Sequence, residues 1–173
     1  MIYDESYFEG DAPGGYTRYG KTAKSRVPDI EKATDLRGLF LIVGCAYGFT
    51  VKELVELEVN AYGLDLSTFA INAAPRDIRD RLVLGSAADR ASYWRACQAA
   101  TTPMFTYIVS ENMLCCLSDE EAIKFQELAQ YFGVHVIHLI EERPALAKWY
   151  NYKTVAEWEE LLRPVNTLFQ IIR

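Results

Sequence analysis

The sequence predicts an α/β chain, a doubly wound, mostly parallel sheet with helices on both faces and a shortened C-terminal end. Three observations carry that expectation. Leu39–Val43 is an unbroken run of five apolar residues, the pattern of a strand covered on both faces. Directly after it comes Gly44-Cys45-Ala46-Tyr47-Gly48, whose two glycines let the backbone turn tightly and approach a ligand. Short apolar runs then alternate with segments of helical period to the end of the chain, as they do where helical crossovers join parallel strands.

After the glycine turn, Thr50 with Glu53 three residues on fits a capping box, and Leu54, Val55 and Leu57 continue that helix. A second strand ends on Asp65, with Leu66 and Ser67 next. Phe69 and Ile71 fit a helix reaching Ala74 and stopped by Pro75. Leu82-Val83-Leu84 is a short third strand leading into Gly85-Ser86-Ala87-Ala88-Asp89. A helix near Ala91–Ala99 and a strand Phe105–Val109 come next, the latter leaving through Ser110-Glu111-Asn112-Met113. Ser118 and Glu121 mark another capping box, with Ile123, Phe125, Leu128, Ala129 and Phe132 as the apolar side of its helix. Val134–Ile140 is a fifth strand. Thr154 and Glu157 open a helix that buries Val155, Trp158 and Leu161, and Thr167–Ile172 is a last strand.

Composition narrows the possible functions. At 173 residues the chain is one domain with enough length for a substantial core. No apolar run approaches the roughly 18 residues of a spanning helix. The acidic start Met1-Ile2-Tyr3-Asp4-Glu5 does not resemble a secretion signal, and the four cysteines, Cys45, Cys97, Cys115 and Cys116, have no C-x-x-C spacing. Reduced thiols in a cytoplasmic protein are the simpler account. With two histidines, His135 and His138, a metal site is not expected. A formal charge of −6 argues against extensive phosphate contacts with duplex nucleic acid, while a local basic patch such as Lys21, Lys24 and Arg26 remains compatible.

The glycine turn and the second strand's ending resemble the class I S-adenosylmethionine-dependent methyltransferases, whose first motif runs acid-x-G-x-G-x-G. Gly44 and Gly48 fall on the first and last glycines, and Ala46 replaces the middle one. Gly63-Leu64-Asp65-Leu66-Ser67 resembles that family's second-strand ending, where the acid binds the cofactor ribose. The chain departs from the pattern where the family's first-strand acid stands, since Ile42 and Val43 are apolar. At the third-strand exit Ser86 holds the position of a second acid. The spacing G-x-x-x-G also disfavours a nicotinamide dinucleotide, which wants G-x-G-x-x-G.

The resemblance implies S-adenosylmethionine (SAM) as cofactor, held by Tyr16, Gly44, Cys45, Ala46, Gly48, Asp65, Leu66, Ser86, Ala87 and Ser110. It divides the chain into an aromatic-rich N-terminal lid, residues 1–36, and a Rossmann-like SAM-binding domain, residues 37–173. Tyr19 and the cluster Trp149, Tyr150 and Asn151 are candidates to hold the methyl acceptor, with Glu111 or His138 as the base. A small-molecule acceptor fits best, a nucleic acid or protein acceptor is the alternative, and a SAM-binding module without transfer activity is a third reading. Structural readings stand beside several of these. Asp65 could cap the helix starting at Thr68, the tyrosines could pack the N-terminal segment on the core, and residues 149–152 could pack on the next helix. The family closes with two strands, one antiparallel, where this chain shows one. The N-terminal segment or a second subunit is expected to cover the sheet edge left behind.

Overall fold

The computed structural model describes residues 3–10, 25–141 and 150–172. Six strands, β1 Leu39–Val43, β2 Asn60–Asp65, β3 Leu82–Leu84, β4 Phe105–Glu111, β5 Gly133–Ile140 and β6 Thr167–Ile171, form one sheet in the order β3-β2-β1-β4-β5-β6. Every neighbouring pair is parallel, so the sheet is wholly rather than mostly parallel. After β5 the described residues supply only β6, which pairs directly with β5, and no antiparallel closing strand occurs among them. Seven α-helices are described: α1 Glu5–Phe8, α2 Val27–Ala33, α3 Phe49–Glu56, α4 Thr68–Ala73, α5 Arg90–Ala100, α6 Asp119–Phe132 and α7 Val155–Leu162. None is long and apolar enough to cross a membrane.

Strand alternation divides the core between the two faces of the sheet. Leu41 and Val43 of β1, with Ile108 and Val136, face Tyr93 and Ala96 of α5, Phe125 and Phe132 of α6, and Trp158 of α7. Phe40 and Ile42, with Val109 and Ile137, face Val27 and Ile30 of α2 and Val51 and Leu54 of α3. The first face is braced by rings. Phe132 stacks on Tyr93 with centroids 5.2 Å apart and takes Trp94 edge-on at 5.0 Å.

Helix starts separate local signals that act from those that do not. Ser118 with Glu121 and Thr154 with Glu157 form reciprocal capping boxes at α6 and α7. Thr50 and Glu53 do not. Gly48, in the left-handed region, is the N-cap of α3, so the helix begins before Thr50 can cap it. The Thr50 hydroxyl instead donates to Glu111, and Glu53 accepts from Ser25. On α6 the buried stripe runs through Ala122 and Gln126, while Ile123 is exposed. On α7 Trp158 and Leu162 are buried, and Leu161 is half-buried. The β6 edge exposes Leu168 and Ile171. Residues 3–10 pack on Ala46, Tyr47 and Ala70, whereas Val27 and Ile30 of α2 share a core with Ile172, just past β6.

A chain of hydrogen bonds runs from the core of the first face out to its surface. Gln126 Nε2 donates to Thr167 Oγ1 at 2.9 Å, which leaves Gln126 Oε1 facing His138 Nε2 at 2.7 Å. His138 Nε2 therefore carries the proton, and Nδ1 accepts from the Ser110 hydroxyl at 2.7 Å. The Thr167 hydroxyl donates onward to the Val165 carbonyl at 3.0 Å. Ser110, Gln126 and His138 are buried, and each has a partner, which is the condition for keeping polar groups in a core. Burial pushes the His138 imidazole from its ordinary 6.5 down to about 3, so it is neutral at physiological pH.

This packing sets two measurable outcomes. Phe132→Ala should cost about 3–5 kcal/mol of unfolding free energy, measured by urea titration, because it empties a site walled by Tyr93 and Trp94. As pH falls below 6.5 the unfolded chain protonates His138 while the folded chain does so only near 3. Stability tied to this group is therefore full above the first value and is lost toward the second, at about 1.4 kcal/mol per pH unit. Asp65 and Glu111, whose folded values are raised, act in the opposite direction. The signature is thus a difference: the stability gap between wild type and His138→Asn should change by that slope between pH 6.5 and pH 4.5.

Candidate functional site

The loops at the C-terminal ends of β1, β2, β3 and β4 converge at one edge of the sheet. Chain order reverses there, between β1 and β4, which is where open parallel sheets bind ligands. The turn after β1 is fixed by its own backbone. The Gly44 and Cys45 amides both donate to the Leu64 carbonyl, at 2.8 and 3.3 Å, and the Gly48 amide donates to the Cys45 carbonyl at 2.8 Å. Gly44 and Gly48 lie at φ 75° and 74°, and Ala46 at φ 49°. A Cβ on Gly44 would come within 2.6 Å of Met113 Cγ, and one on Gly48 within 2.8 Å of Ile78 Cδ1. The protein's own packing thus requires both glycines, before any ligand is considered.

Asp65 joins the two strand tips. Its Oδ2 accepts the Ala46 amide and its Oδ1 the Ser67 amide, both at 2.8 Å. Burial raises the carboxyl above its ordinary range while these amides pull it back. The helix-capping reading belongs to the neighbouring residue, since Ser67 Oγ accepts the Ala70 amide at the start of α4. Leu66 projects outward at 57% exposure beside this tip, and Leu84 at the β3 tip is 45% exposed. At the β3 exit the Ser86 hydroxyl accepts from the Ala88 amide at 3.2 Å, and the Ala87 carbonyl accepts from Tyr93 at 3.0 Å. The Ala87 amide has no hydrogen-bond partner among the described residues.

The exit of β4 carries the polar candidates, and the structure distributes them differently from the sequence expectation. His138 lies inside the core with both ring nitrogens bonded to protein, so it does not face an acceptor as a base would. Ser110 is buried with it. Glu111 accepts from Arg26 Nε at 3.1 Å and from the Thr50 hydroxyl at 3.2 Å. Burial raises its carboxyl, and Arg26 opposes the shift. Asn112 turns the chain at φ 47° and ties the exits of β4 and β5 together, its Oδ1 accepting the Glu141 amide at 2.7 Å.

Asn151 is committed to the protein. Its amide donates to the Cys115 carbonyl, its side chain to Leu117 and Asp119, and its Oδ1 accepts from Lys153. This holds residues 150–153 to the loop before α6 in place of contacting an acceptor. Tyr150 is half-buried, its hydroxyl 3.5 Å from that of Tyr7. Tyr16, Tyr19 and Trp149 lie outside the described residues.

Three aromatic residues near the N-terminus belong to this edge although the family motif does not include them. Asp4 caps α1 by accepting the Ser6 and Tyr7 amides, and the helix lays Phe8 on Tyr47 with ring centroids 5.2 Å apart. The Tyr47 hydroxyl donates to Glu9. Ser67 donates to the Tyr3 carbonyl at 2.6 Å, and the Tyr3 hydroxyl reaches the Cys116 carbonyl at 3.4 Å. Residues 3–10 therefore touch the exits of β1, β2 and β4 and, through Tyr7, the start of the segment leading to α7. The available sequence signal was Asp4 before a short aromatic run, the mark of an N-cap.

No protein-family model matches the chain, and no curated protein matches it in sequence. Solved structures do. The chain is similar to magnesium protoporphyrin IX methyltransferase (ChlM) from Synechocystis PCC 6803, solved with bound SAM, at a TM-score of 0.59 and 15% identity, covering 79% of this chain and 63% of that one. It is similar to a structure describing conversion of a disulfide bond into a thioacetal group during echinomycin biosynthesis, at 0.58 and 16%, covering 79% and 65%. It is also similar to a SAM-dependent methyltransferase from Clostridium acetobutylicum ATCC 824, at 0.50 and 14%, covering 69% and 51%. The chain thus spans 51–65% of the length of these three proteins. The strand order, the glycine turn and these likenesses agree: the chain has the fold of the class I SAM-dependent methyltransferases.

Proposed function

We propose that this chain is a SAM-dependent methyltransferase acting on a small molecule, with the cofactor in the cleft between the β1 turn and the β2 tip. The observation that carries the reading is the carboxylate of Asp65 bonded across to the Ala46 amide, beside a turn shaped by the left-handed Gly44 and Gly48. Each carboxylate oxygen keeps a second lone pair after bonding one amide, so a ribose diol can be accepted without breaking the turn. Exposed Leu66 and Leu84 offer apolar cover for a purine, and the Ala87 amide offers a donor. Strand order alone does not exclude a dinucleotide, since that family shares it. The G-x-x-x-G spacing, with Tyr47 tucked under Phe8, disfavours a pyrophosphate there.

SAM supplies an electrophilic methyl: as the acceptor–carbon bond forms, the carbon–sulfur bond breaks and sulfur leaves with the electron pair as a thioether. The protein then has to align the acceptor and exclude water. The segment 3–10 closes over the turn with Tyr3, Tyr7 and Phe8, and we propose it as part of the lid, while α2 packs in the core beneath β1. Neither residue expected as a base stands ready: His138 is bonded to protein at both ring nitrogens, and Glu111 is bonded to Arg26 and Thr50. An acceptor that is nucleophilic without losing a proton first fits that arrangement. The same observation favours a second reading, a SAM-binding module without transfer.

Calorimetric titration should show binding of SAM and of its demethylated product, S-adenosylhomocysteine, and none of NAD. Preference for NAD would overturn the assignment. Asp65→Ala should weaken SAM binding by about tenfold or more, the loss of a charged hydrogen-bonding partner. Turnover of radiolabelled methyl onto pooled metabolites distinguishes an enzyme from a module.

A further inference from the structure

The methionine end of SAM brings an ammonium and a carboxylate into the cleft, and β1 offers nothing to match them. The residue two before Gly44 is Ile42, buried among Val27, Ile30, Val51 and Leu54. The neighbouring strand carries a charge two residues farther along, past the Ile42–Val109 pair. Val43 pairs with Ser110, so the next residues along, Gly44 and Glu111, leave their strands side by side. Glu111 Oε2 accepts from Thr50, two residues past Gly48, and its Oε1 accepts from Arg26 at 3.1 Å. The pair therefore flanks the glycine turn, with side-chain exposures of 24% for Glu111 and 11% for Arg26.

Neither partner is saturated by these contacts. Each Glu111 oxygen has a further lone pair, and Arg26 uses Nε on Glu111 while its nearest other carboxylate, Asp29, is 3.9 Å from Nη1. The unused donors and acceptors lie on the part of the pair that solvent still reaches, where a ligand can meet them. An α-amino acid supplies the complement, an ammonium for the carboxylate and a carboxylate for the guanidinium fork.

We propose that Glu111 and Arg26 grip the amino-acid end of SAM, the ammonium on Glu111 and the carboxylate on Arg26. They take the place of the acid that β1 lacks. The assignment rests on the proposed cofactor and extends it to a helix-flanking arginine and a β4 carboxylate outside the glycine motif. It also gives Glu111 a binding role in place of that of a base. Burial already raises the Glu111 carboxyl, so an ammonium beside it relieves a standing cost.

The test is calorimetry with four ligands: S-adenosylhomocysteine, 5′-methylthioadenosine, which keeps the adenosine and sulfur without the amino acid, SAM, and decarboxylated SAM, which differs from SAM only in lacking the carboxylate. Wild type should bind S-adenosylhomocysteine at least about tenfold more tightly than methylthioadenosine. Glu111→Gln and Arg26→Gln should each remove most of that margin and leave methylthioadenosine within about twofold, with melting curves confirming folded protein. Decarboxylated SAM should bind wild type more weakly than SAM, and Arg26→Gln should erase the difference. That comparison needs only wild type should a variant fail to fold. Equal losses for all ligands, or none, would overturn the proposal and mark the pair as structural. Wild type binding both adenosine ligands equally well would also overturn it while leaving the cofactor assignment standing. Binding of none of the four would remove the cofactor assignment and the anchor together.

Discussion

The bond from the Ala46 amide to Asp65 is the constraint on which the rest of the cleft depends. It fastens the turn after β1 to the tip of β2, with the Gly44 and Cys45 amides already drawn to the Leu64 carbonyl one residue earlier. Three amides converging on the end of one strand leave the turn little freedom. Its left-handed residues, Gly44, Ala46 and Gly48, are the backbone cost of that shape. The positions of Met113, Ile78 and Phe8 follow from it, since each packs against a surface the turn presents.

Much of the architecture was legible because it is local and periodic. The apolar run at Leu39–Val43, the boxes at Ser118/Glu121 and Thr154/Glu157, and the alternation of strands with helices each announce themselves within a few residues. Thr50 and Glu53 show where such signals end. The pattern was present, but a tertiary partner for each side chain, Glu111 and Ser25, took precedence over the local bond. Gly48 had already supplied the helix start.

The site was legible only where chemistry and motif share a short segment. Gly44, Gly48 and Asp65 lie together as their spacing suggests. The polar groups at the β4 exit do not declare their partners, because those come from α6, from β5 and from the flank of α2. Nothing within a few residues of His138 indicates that Gln126 and Ser110 will enclose it. Nothing near Glu111 indicates Arg26, 85 positions away in sequence. Asn151 carries the same lesson, since a polar residue in an aromatic loop suggests a ligand contact until four protein partners are counted against it.

An all-parallel sheet also governs how the chain can assemble. Parallel neighbours cannot be joined by a tight hairpin, so every strand pair here closes a long loop before it forms a hydrogen bond. β1 is the extreme case. It can pair with β2 soon after synthesis, but its other edge waits for β4, beyond α3, β2, α4, β3 and α5. Through that interval Phe40 and Ile42 lie on a strand with one open edge, which makes the emerging chain most vulnerable to intermolecular pairing at the element that later becomes the most enclosed.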